Sequence, residues 1–181
     1  MIYKATNLIA ETFDEKDVKY HIEEKEDFSV VEAGFEVEAG PALLVRFISK
    51  DDDSDVAIRV FGVVHKIPEA KKEAILQVCN SLNKDIRFVK FLLADDGSVN
   101  LEADLPISVE ESCVGECCFE YLVRIMSILD HEYHRFMEVL YSSANPSRTN
   151  TLDFIKELQK LRENPLRLVE EHDTRTTGTD N

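Results

Sequence analysis

A group of cysteines and a pair of histidines are the residues whose types could bind a metal ion. Cys113, Cys117 and Cys118 fall in one predicted helix. His131 and His134 lie further along that helix. Zinc needs four ligands at about 2.0–2.3 Å, yet Cys117 and His131 lie about 20 Å apart on a straight helix, which rises about 1.5 Å per residue. Only a second copy of the chain could complete such a site, so we interpret the cysteines as structural and predict neither a metal ion nor a cofactor.

A run of aspartates resembles the opening of a calcium-binding loop. It contains Asp51, Asp53 and Asp55. A calcium loop of this kind needs glycine at its sixth position and glutamate at its twelfth, and the chain has Val56 and Gly62 there. We therefore interpret the run as a charged loop between strands. The chain also has no glycine-rich phosphate loop, nucleophile elbow or metalloprotease helix, so we predict no catalytic residues and no enzymatic activity.

The charge balance restricts the classes of partner. The chain has 21 lysines and arginines against 36 acidic residues, a net charge of −15. Such a surface repels nucleic-acid phosphates and anionic lipids, and no apolar run is long enough to span a bilayer. These features disfavour nucleic-acid and membrane partners. The N-terminus lacks the apolar block of a signal peptide. Three of the four cysteines lie in one predicted helix, where they have poor geometry for disulfide bonds, and reduced thiols suit a reducing compartment, so we expect a cytoplasmic protein.

Apolar periodicity predicts an α+β fold: an antiparallel sheet with helices packed mainly on one face. Predicted helices cover 2–14, 68–83 and a long segment ending at 141; predicted strands cover 18–23, 28–39, 42–49, 56–65, 86–93 and 99–107. The segment 42–49 is apolar on both faces, which favours a central position in the sheet. Ser108 and Glu111 are predicted to form a capping box before the long helix.

The chain divides into two parts by its pattern. Residues 1–143 contain all the strands and the long helix, and we predict that they form the α+β domain. Residues 144–181 are predicted to be a C-terminal extension, with a short amphipathic helix at about 150–163 and a polar, disordered tail.

Local patterns in the first part resemble the YbjN family, described as bacterial sensory transduction regulators with a fold similar to type III secretion chaperones. The patterns are VVHKIPE at 63–69, CNSLN at 79–83, the hairpin at 88–104, ADLP at 103–106, and the end of the long helix at 140–141. The resemblance covers roughly residues 2–143. It implies an acidic, dimeric chaperone-like or adaptor-like module and supplies no active-site residues.

The long helix carries a broad apolar stripe and would span about 40–45 Å, more than a small sheet needs. Surplus apolar surface surrounded by acidic residues is typical of a protein contact. We therefore predict a non-enzymatic interaction module that forms a homodimer and binds a partner with a basic or apolar segment. The predicted interface residues are Tyr121, Ile125, Ile128, Leu129, Tyr133 and Phe136. The alternative is a regulator that responds to a small ligand, with a pocket between helix and sheet lined by Tyr121, Met126 and Tyr133.

Overall fold

The computed structural model describes residues 2–38, 40–50, 54–107 and 113–142. Within these ranges the chain forms three helices, which are α1 (Lys4–Glu15), α2 (Glu69–Asp85) and α3 (Val114–Tyr141). The same ranges contain six strands, which are β1 (Tyr20–Glu24), β2 (Phe28–Glu36), β3 (Ala42–Lys50), β4 (Asp55–Val64), β5 (Lys90–Leu93) and β6 (Val99–Pro106). None of these helices is long and apolar enough to cross a membrane.

The strands form one antiparallel sheet in the order β1-β2-β3-β4-β6-β5. β1 to β4 follow one another as a meander. α2 then leads to a hairpin of β5 and β6, and β6 pairs with β4. The turn of this hairpin contains Gly97 at φ 77°, a backbone conformation that glycine adopts without steric cost. The predicted α+β fold with an antiparallel sheet is confirmed, and β3 lies inside the sheet as expected.

One face of the sheet carries the apolar side chains that the helices cover. Successive residues of a strand point to opposite faces, and buried positions alternate with less buried ones along β3 and most of β4 and β6. Fully buried core side chains come from all three helices and from five strands: Ile9, Phe13, Ile75, Leu82, Ile125, Leu129, Phe136, Val31, Phe47, Ile58, Phe91 and Leu101. The three helices therefore share one core on one side of the sheet. We call the opposite side the open face.

α1 and α3 approach each other closely above this core. Gly115, in the first turn of α3, faces α1. A Cβ at this position would lie 2.5 Å from the carbonyl oxygen of Leu8 and would also overlap the side chain of Thr12. At the same end of α1, Lys16 forms an ion pair with Glu116 at 3.1 Å. The close contact of the two helices therefore requires glycine at position 115.

β5 is shorter than the sequence pattern predicts. The pattern indicates a strand over 86–93, whereas α2 continues to Asp85 and β5 begins at Lys90. The Nζ of Lys90 donates hydrogen bonds to the carbonyl oxygens of Asn83 (2.9 Å) and Ile86 (2.7 Å). Carbonyls at a helix end have no partner within the helix and need one from elsewhere. Residues 86–89 thus turn the chain from the helix into the strand, and Phe88 stays 55% exposed.

Three predictions fall outside the described residues. They are the capping box of Ser108 and Glu111, the loop residues Asp51 and Asp53, and the C-terminal extension 144–181 with its helix at about 150–163. All three stay predictions, as does the domain boundary after residue 143.

Candidate protein-interaction surface

Three of the six predicted interface residues lie in the core of the chain itself. Ile125, Leu129 and Phe136 are 0% exposed. They point toward the sheet, where the ring of Phe136 lies 5.5 Å from the ring of Phe91. The side chains of these three residues are therefore already covered within one copy of the chain.

The other three predicted interface residues are half-buried and lie on two flanks of α3. Tyr121 and Ile128, seven residues apart, share one flank. Tyr133 follows Ile128 by five residues, which places it about 140° further around a helix of 3.6 residues per turn. It packs beside Gly40, where a Cβ would come within 2.9 Å of its ring. Burial is the main cause that raises the pKa of both tyrosines. The structure therefore does not gather the six residues on one exposed surface, and the α3 interface stays a prediction.

The apolar stripe of α3 is covered by more than the sheet. α1 packs along one flank of α3, and α2 contacts the other, where Arg135 donates a hydrogen bond to Ser81 of α2 at 3.0 Å. Among the described residues of α3, the large apolar side chains that stay exposed are Val123 and Tyr141. The prediction of a large exposed apolar surface on α3 counted only the sheet as its packing partner, whereas α1 and α2 pack against it as well.

The alternative ligand pocket was predicted between α3 and the sheet. Tyr121 and Met126 are five residues apart and therefore lie on different flanks of the helix. Between these flanks, Leu122, Ile125 and Leu129 are at most 4% exposed and fill the layer above the sheet. The structure thus separates two of the side chains that were predicted to line one pocket.

The cysteines and histidines of α3 do not come together. Cys118 is buried, Cys117 is half-buried and Cys113 is exposed. Burial raises the pKa of the Cys118 thiol far above its ordinary value. His131 contacts the carbonyl oxygen of Ser127 in its own helix at 2.7 Å. Within the described part of the chain, no group of three or more His, Cys, Asp or Glu side chains could hold a metal ion.

The open face carries a row of acidic and basic residues, with His21 at one end, that crosses all six strands. Strand register places His21 opposite Glu32, Glu32 opposite Arg46, Arg46 opposite Arg59, Arg59 opposite Glu102, and Glu102 opposite Lys90. Residues directly opposite each other on paired strands share one face of the sheet. We call this set the charged row.

Two arginines stand side by side in the middle of the charged row, an arrangement that would repel if it were uncompensated. The Nε of Arg46 contacts a Glu32 carboxylate oxygen at 2.6 Å. The guanidinium of Arg59 bonds Asp104 at 2.7 Å, lies 3.6 Å from Glu102, and donates to the carbonyl oxygens of Ile58 and Ala103. Carboxylates therefore neutralise each arginine on the side that faces away from the other arginine.

A second row on the open face is exposed and mostly apolar; on β6 it contains Asn100, a partly buried residue opposite Leu92 whose Oδ1 accepts a hydrogen bond from the backbone N–H of Gly62 at 2.9 Å. Gly34 lies opposite Leu44. Phe61 follows Arg59 by two residues and so shares its face, and its ring lies 5.4 Å from the guanidinium carbon of Arg46. On β5, Leu92 lies on the same face, two residues from Lys90. Leu44, Phe61 and Leu92 are 45%, 46% and 43% exposed. We call Gly34, Leu44, Phe61 and Leu92 the apolar row.

A depression of about 340 Å³ adjoins Gly34 and Leu44, at one end of the apolar row. It lies at the hairpin of β2 and β3 and is lined by Gly34, Phe35, Glu36, Ala42, Leu43 and Leu44. Gly34 has no side chain to fill it, and a Cβ there would have Leu44 Cδ2 as its nearest atom, at 3.5 Å. The depression therefore has room for an apolar side chain from outside the chain.

A comparison with known families decides the membership of this chain. The family model of YbjN, described as "Putative bacterial sensory transduction regulator", matches residues 6–112. This chain belongs to the YbjN family. No curated protein matches it.

The YbjN match covers the sheet and leaves out the long helix. Residues 6–112 include every strand of the open face, whereas α3 begins at Val114. The predicted resemblance is confirmed over this narrower range. The apolar pattern on both sides of 42–49 indicates a central strand, and the apolar row was not predicted. The sequence of β3 contained a pattern that could have predicted the apolar row: Leu44 and Ile48 alternate with the core-facing Leu43, Val45 and Phe47.

Proposed function

We propose that this YbjN-family chain is a cytoplasmic, non-enzymatic regulator that acts by binding other proteins, as a chaperone or adaptor does, and that it works as an acidic homodimer. The observation that carries the binding role is the open face, where three large apolar side chains are each more than 40% exposed. An apolar patch rimmed by charged residues is typical of a protein-contact surface.

The chemistry of the surrounding side chains also supports binding over catalysis. The two arginines of the charged row are held in ion pairs with carboxylates, which orients their side chains and neutralises them. Cys79 and Cys118 are buried, and burial raises the pKa of both thiols. Since the thiolate is the nucleophile, these two cysteines are unsuited to nucleophilic chemistry at neutral pH.

The homodimer is supported by apolar surface that remains on α3. Tyr121 and Ile128 lie half-buried on the flank of α3 that faces away from α1, whereas Val123, which is 47% exposed, lies about 140° around the helix from Ile128 and outside this flank. A dimer through this flank would use part of the predicted interface, without the three residues that the core already covers.

The binding role is tested by aggregation of a basic, apolar client. Reduced lysozyme aggregates when its disulfides are broken, and its light scattering can be followed with and without an equimolar amount of this chain. We expect the chain to suppress the scattering. Scattering that is unchanged at a fivefold molar excess of the chain contradicts the proposed chaperone-like role.

The homodimer is tested by size-exclusion chromatography with light scattering. We expect twice the mass of one chain, and we expect Ile128→Asp to give the mass of a single chain. Ser127→Asp, an exposed neighbour on the same helix, is the matched control and should stay dimeric. A monomer at every concentration of the wild-type chain contradicts the homodimer.

A further inference from the structure

We propose that the open face is the docking surface for an amphipathic segment of a partner protein, with apolar side chains along its middle and lysine or arginine on its flanks. This inference rests on the proposed protein-binding function and assigns it a surface and a partner chemistry. The apolar row supplies the contact for the middle of the segment. Leu44 and Phe61 stand on the central strands β3 and β4, away from both edges of the sheet.

The dimensions of the apolar row fit a peptide segment. The row begins at Gly34 on β2 and ends at Leu92 on β5, which is four strand spacings away. At about 4.8 Å per spacing, it extends about 19 Å across the sheet. A helix of about 13 residues has this length. The docked segment should therefore carry several apolar side chains spaced along its length.

The depression at Gly34 offers an anchoring position for that segment. A volume of about 340 Å³ admits a side chain of the size of leucine or phenylalanine. Gly34 lines the depression without a side chain, and a Cβ there would have Leu44 Cδ2 as its nearest atom, at 3.5 Å. Buried apolar anchors of this type carry most of the binding energy in protein interfaces.

The charges of the open face favour cationic flanks on the partner. The charged row is internally paired: Arg46 with Glu32, Arg59 with Glu102 and Asp104, and Lys90 with the last carbonyls of α2. The local preference for a cation therefore comes from a carboxylate outside the row. Glu36 lines the depression and is exposed. Within the described residues it has no ion-pair partner, so it is available to a lysine or arginine of the segment.

The field of the whole chain acts in the same direction. A net charge of −15 attracts basic segments at a distance and repels acidic ones. The same net charge acts between two copies of this chain, so a basic segment is a more favourable occupant of the open face than a second copy. Charge thus selects the partner, and the apolar row holds it.

The test measures binding of a fluorescent 14-residue synthetic peptide of leucine and lysine at amphipathic helical spacing, by anisotropy at 0.15 M salt. One comparison peptide replaces every lysine by glutamate, and the other replaces every leucine by serine. We expect the wild-type chain to bind the leucine–lysine peptide at least about tenfold more tightly than either comparison peptide. Equal binding of the glutamate peptide overturns the charge assignment.

Variants of the chain locate the binding surface. Leu44→Ser, Phe61→Ser and Gly34→Phe should each weaken peptide binding about tenfold, and Glu36→Gln about threefold. Leu76→Ser is the matched control, because this leucine of α2 is 44% exposed, almost as much as Leu44. It should bind within twofold of the wild-type chain. Urea unfolding of each variant shows that the fold is retained.

The outcomes separate this inference from the proposed function. If Leu44→Ser and Phe61→Ser bind the peptide as the wild-type chain does and still suppress lysozyme aggregation, the docking surface is wrong and the binding function stands. If the wild-type chain binds no peptide and suppresses no aggregation, both proposals fail. If the same two variants convert a wild-type dimer into a monomer, the occupant is a second copy of the chain and the inference is overturned.

Discussion

The side-chain amide of Asn83 hydrogen-bonds both the backbone N–H and the backbone C=O of Phe91. Its Oδ1 accepts from the N–H at 2.7 Å, and its Nδ2 donates to the carbonyl at 2.8 Å. Phe91 lies on β5, an edge strand of the sheet. An edge strand exposes unpaired backbone groups that can bind another chain. Asn83 occupies two of them and so connects the end of α2 to the edge of the sheet.

Replacing Asn83 by alanine should therefore destabilise the fold. Two hydrogen bonds are lost, each worth about 0.5–1.5 kcal/mol, so we expect the free energy of unfolding to fall by about 1–3 kcal/mol in urea. Asn80→Ala is the matched control, since Asn80 is an exposed asparagine of the same helix, and it should change stability by less than about 0.5 kcal/mol. Equal effects of the two substitutions would contradict the bridging role of Asn83.

The role of Asn83 shows how far local sequence patterns reach. The motif CNSLN marks the end of a helix, and that end was predicted within two residues of its position. The pattern suggests that its asparagines satisfy the last carbonyls of the helix, whereas Lys90 binds those carbonyls and Asn83 binds a strand. A side chain eight residues away in the sequence becomes a partner only through the turn at 86–89, which no local pattern specifies.

The same limit of local patterns explains why the predicted interface on α3 differs from the exposed surfaces in the structure. Periodicity identified the apolar side of α3 correctly, but it cannot show what covers that side. Ile125 and Phe136 are buried because they lie in the core that the helices and the sheet share. Conversely, Leu44 and Phe61 come from separate strands with no shared local motif, and only the register of β3 with β4 brings them into one row. Local sequence patterns can predict the helices and strands, whereas the exposed surfaces depend on how those helices and strands pack together.

Gly115 provides a second prediction, on the contact between α1 and α3. In Gly115→Ala the new Cβ would lie 2.5 Å from the backbone oxygen of Leu8, so the helices must separate. Overpacking of this kind costs about 1–3 kcal/mol, although alanine is intrinsically the better helix former. The measurement is the urea unfolding midpoint.

Gly34→Ala is the matched control for the change at Gly115. A Cβ at position 34 meets its nearest atom at an ordinary contact distance of 3.5 Å, and Gly34 is not among the described residues with positive φ. We expect this substitution to be neutral or to stabilise by up to about 1 kcal/mol, because it restricts the unfolded chain. A loss of stability as large as that of Gly115→Ala would show that the helix contact is not the cause.

The two arginines of the charged row should differ in their contribution to stability. Arg59 is 19% exposed and has contacts with two carboxylates and two backbone carbonyls. Arg46 is 39% exposed and has one carboxylate partner. We expect Arg59→Gln to lower the free energy of unfolding by about 1–3 kcal/mol and Arg46→Gln by about 0–1 kcal/mol.

Salt distinguishes the two arginine variants further. At 0.5 M NaCl the effect of Arg46→Gln should shrink, because exposed ion pairs are screened. The effect of Arg59→Gln should persist, since the guanidinium of Arg59 also donates hydrogen bonds to the backbone carbonyl oxygens of Ile58 and Ala103. If Arg46→Gln is the more damaging substitution at both salt concentrations, the pairing described for this row is wrong.

Cys79 should make the fold less stable as the pH rises in the alkaline range. Burial raises the pKa of its thiol from 9.0 to about 11. Between these two values the unfolded chain releases the proton while the folded chain retains it, so deprotonation favours unfolding. The contribution of this thiol is thus fully present below pH 9 and is lost as the pH rises toward 11, by up to about 2–3 kcal/mol.

The comparison that isolates this effect is the pH dependence of Cys79→Ala, measured by urea unfolding under reducing conditions at pH 7.5, 9 and 10.5. The cavity left by the smaller side chain should lower stability at every pH by a similar amount. What should change is the slope, because the variant has one fewer buried thiol whose pKa is raised, and its stability should fall less steeply above pH 9. Parallel curves for the two proteins would show that Cys79 ionises equally in the folded and unfolded chains, and that the decline belongs to Cys118 or to other groups.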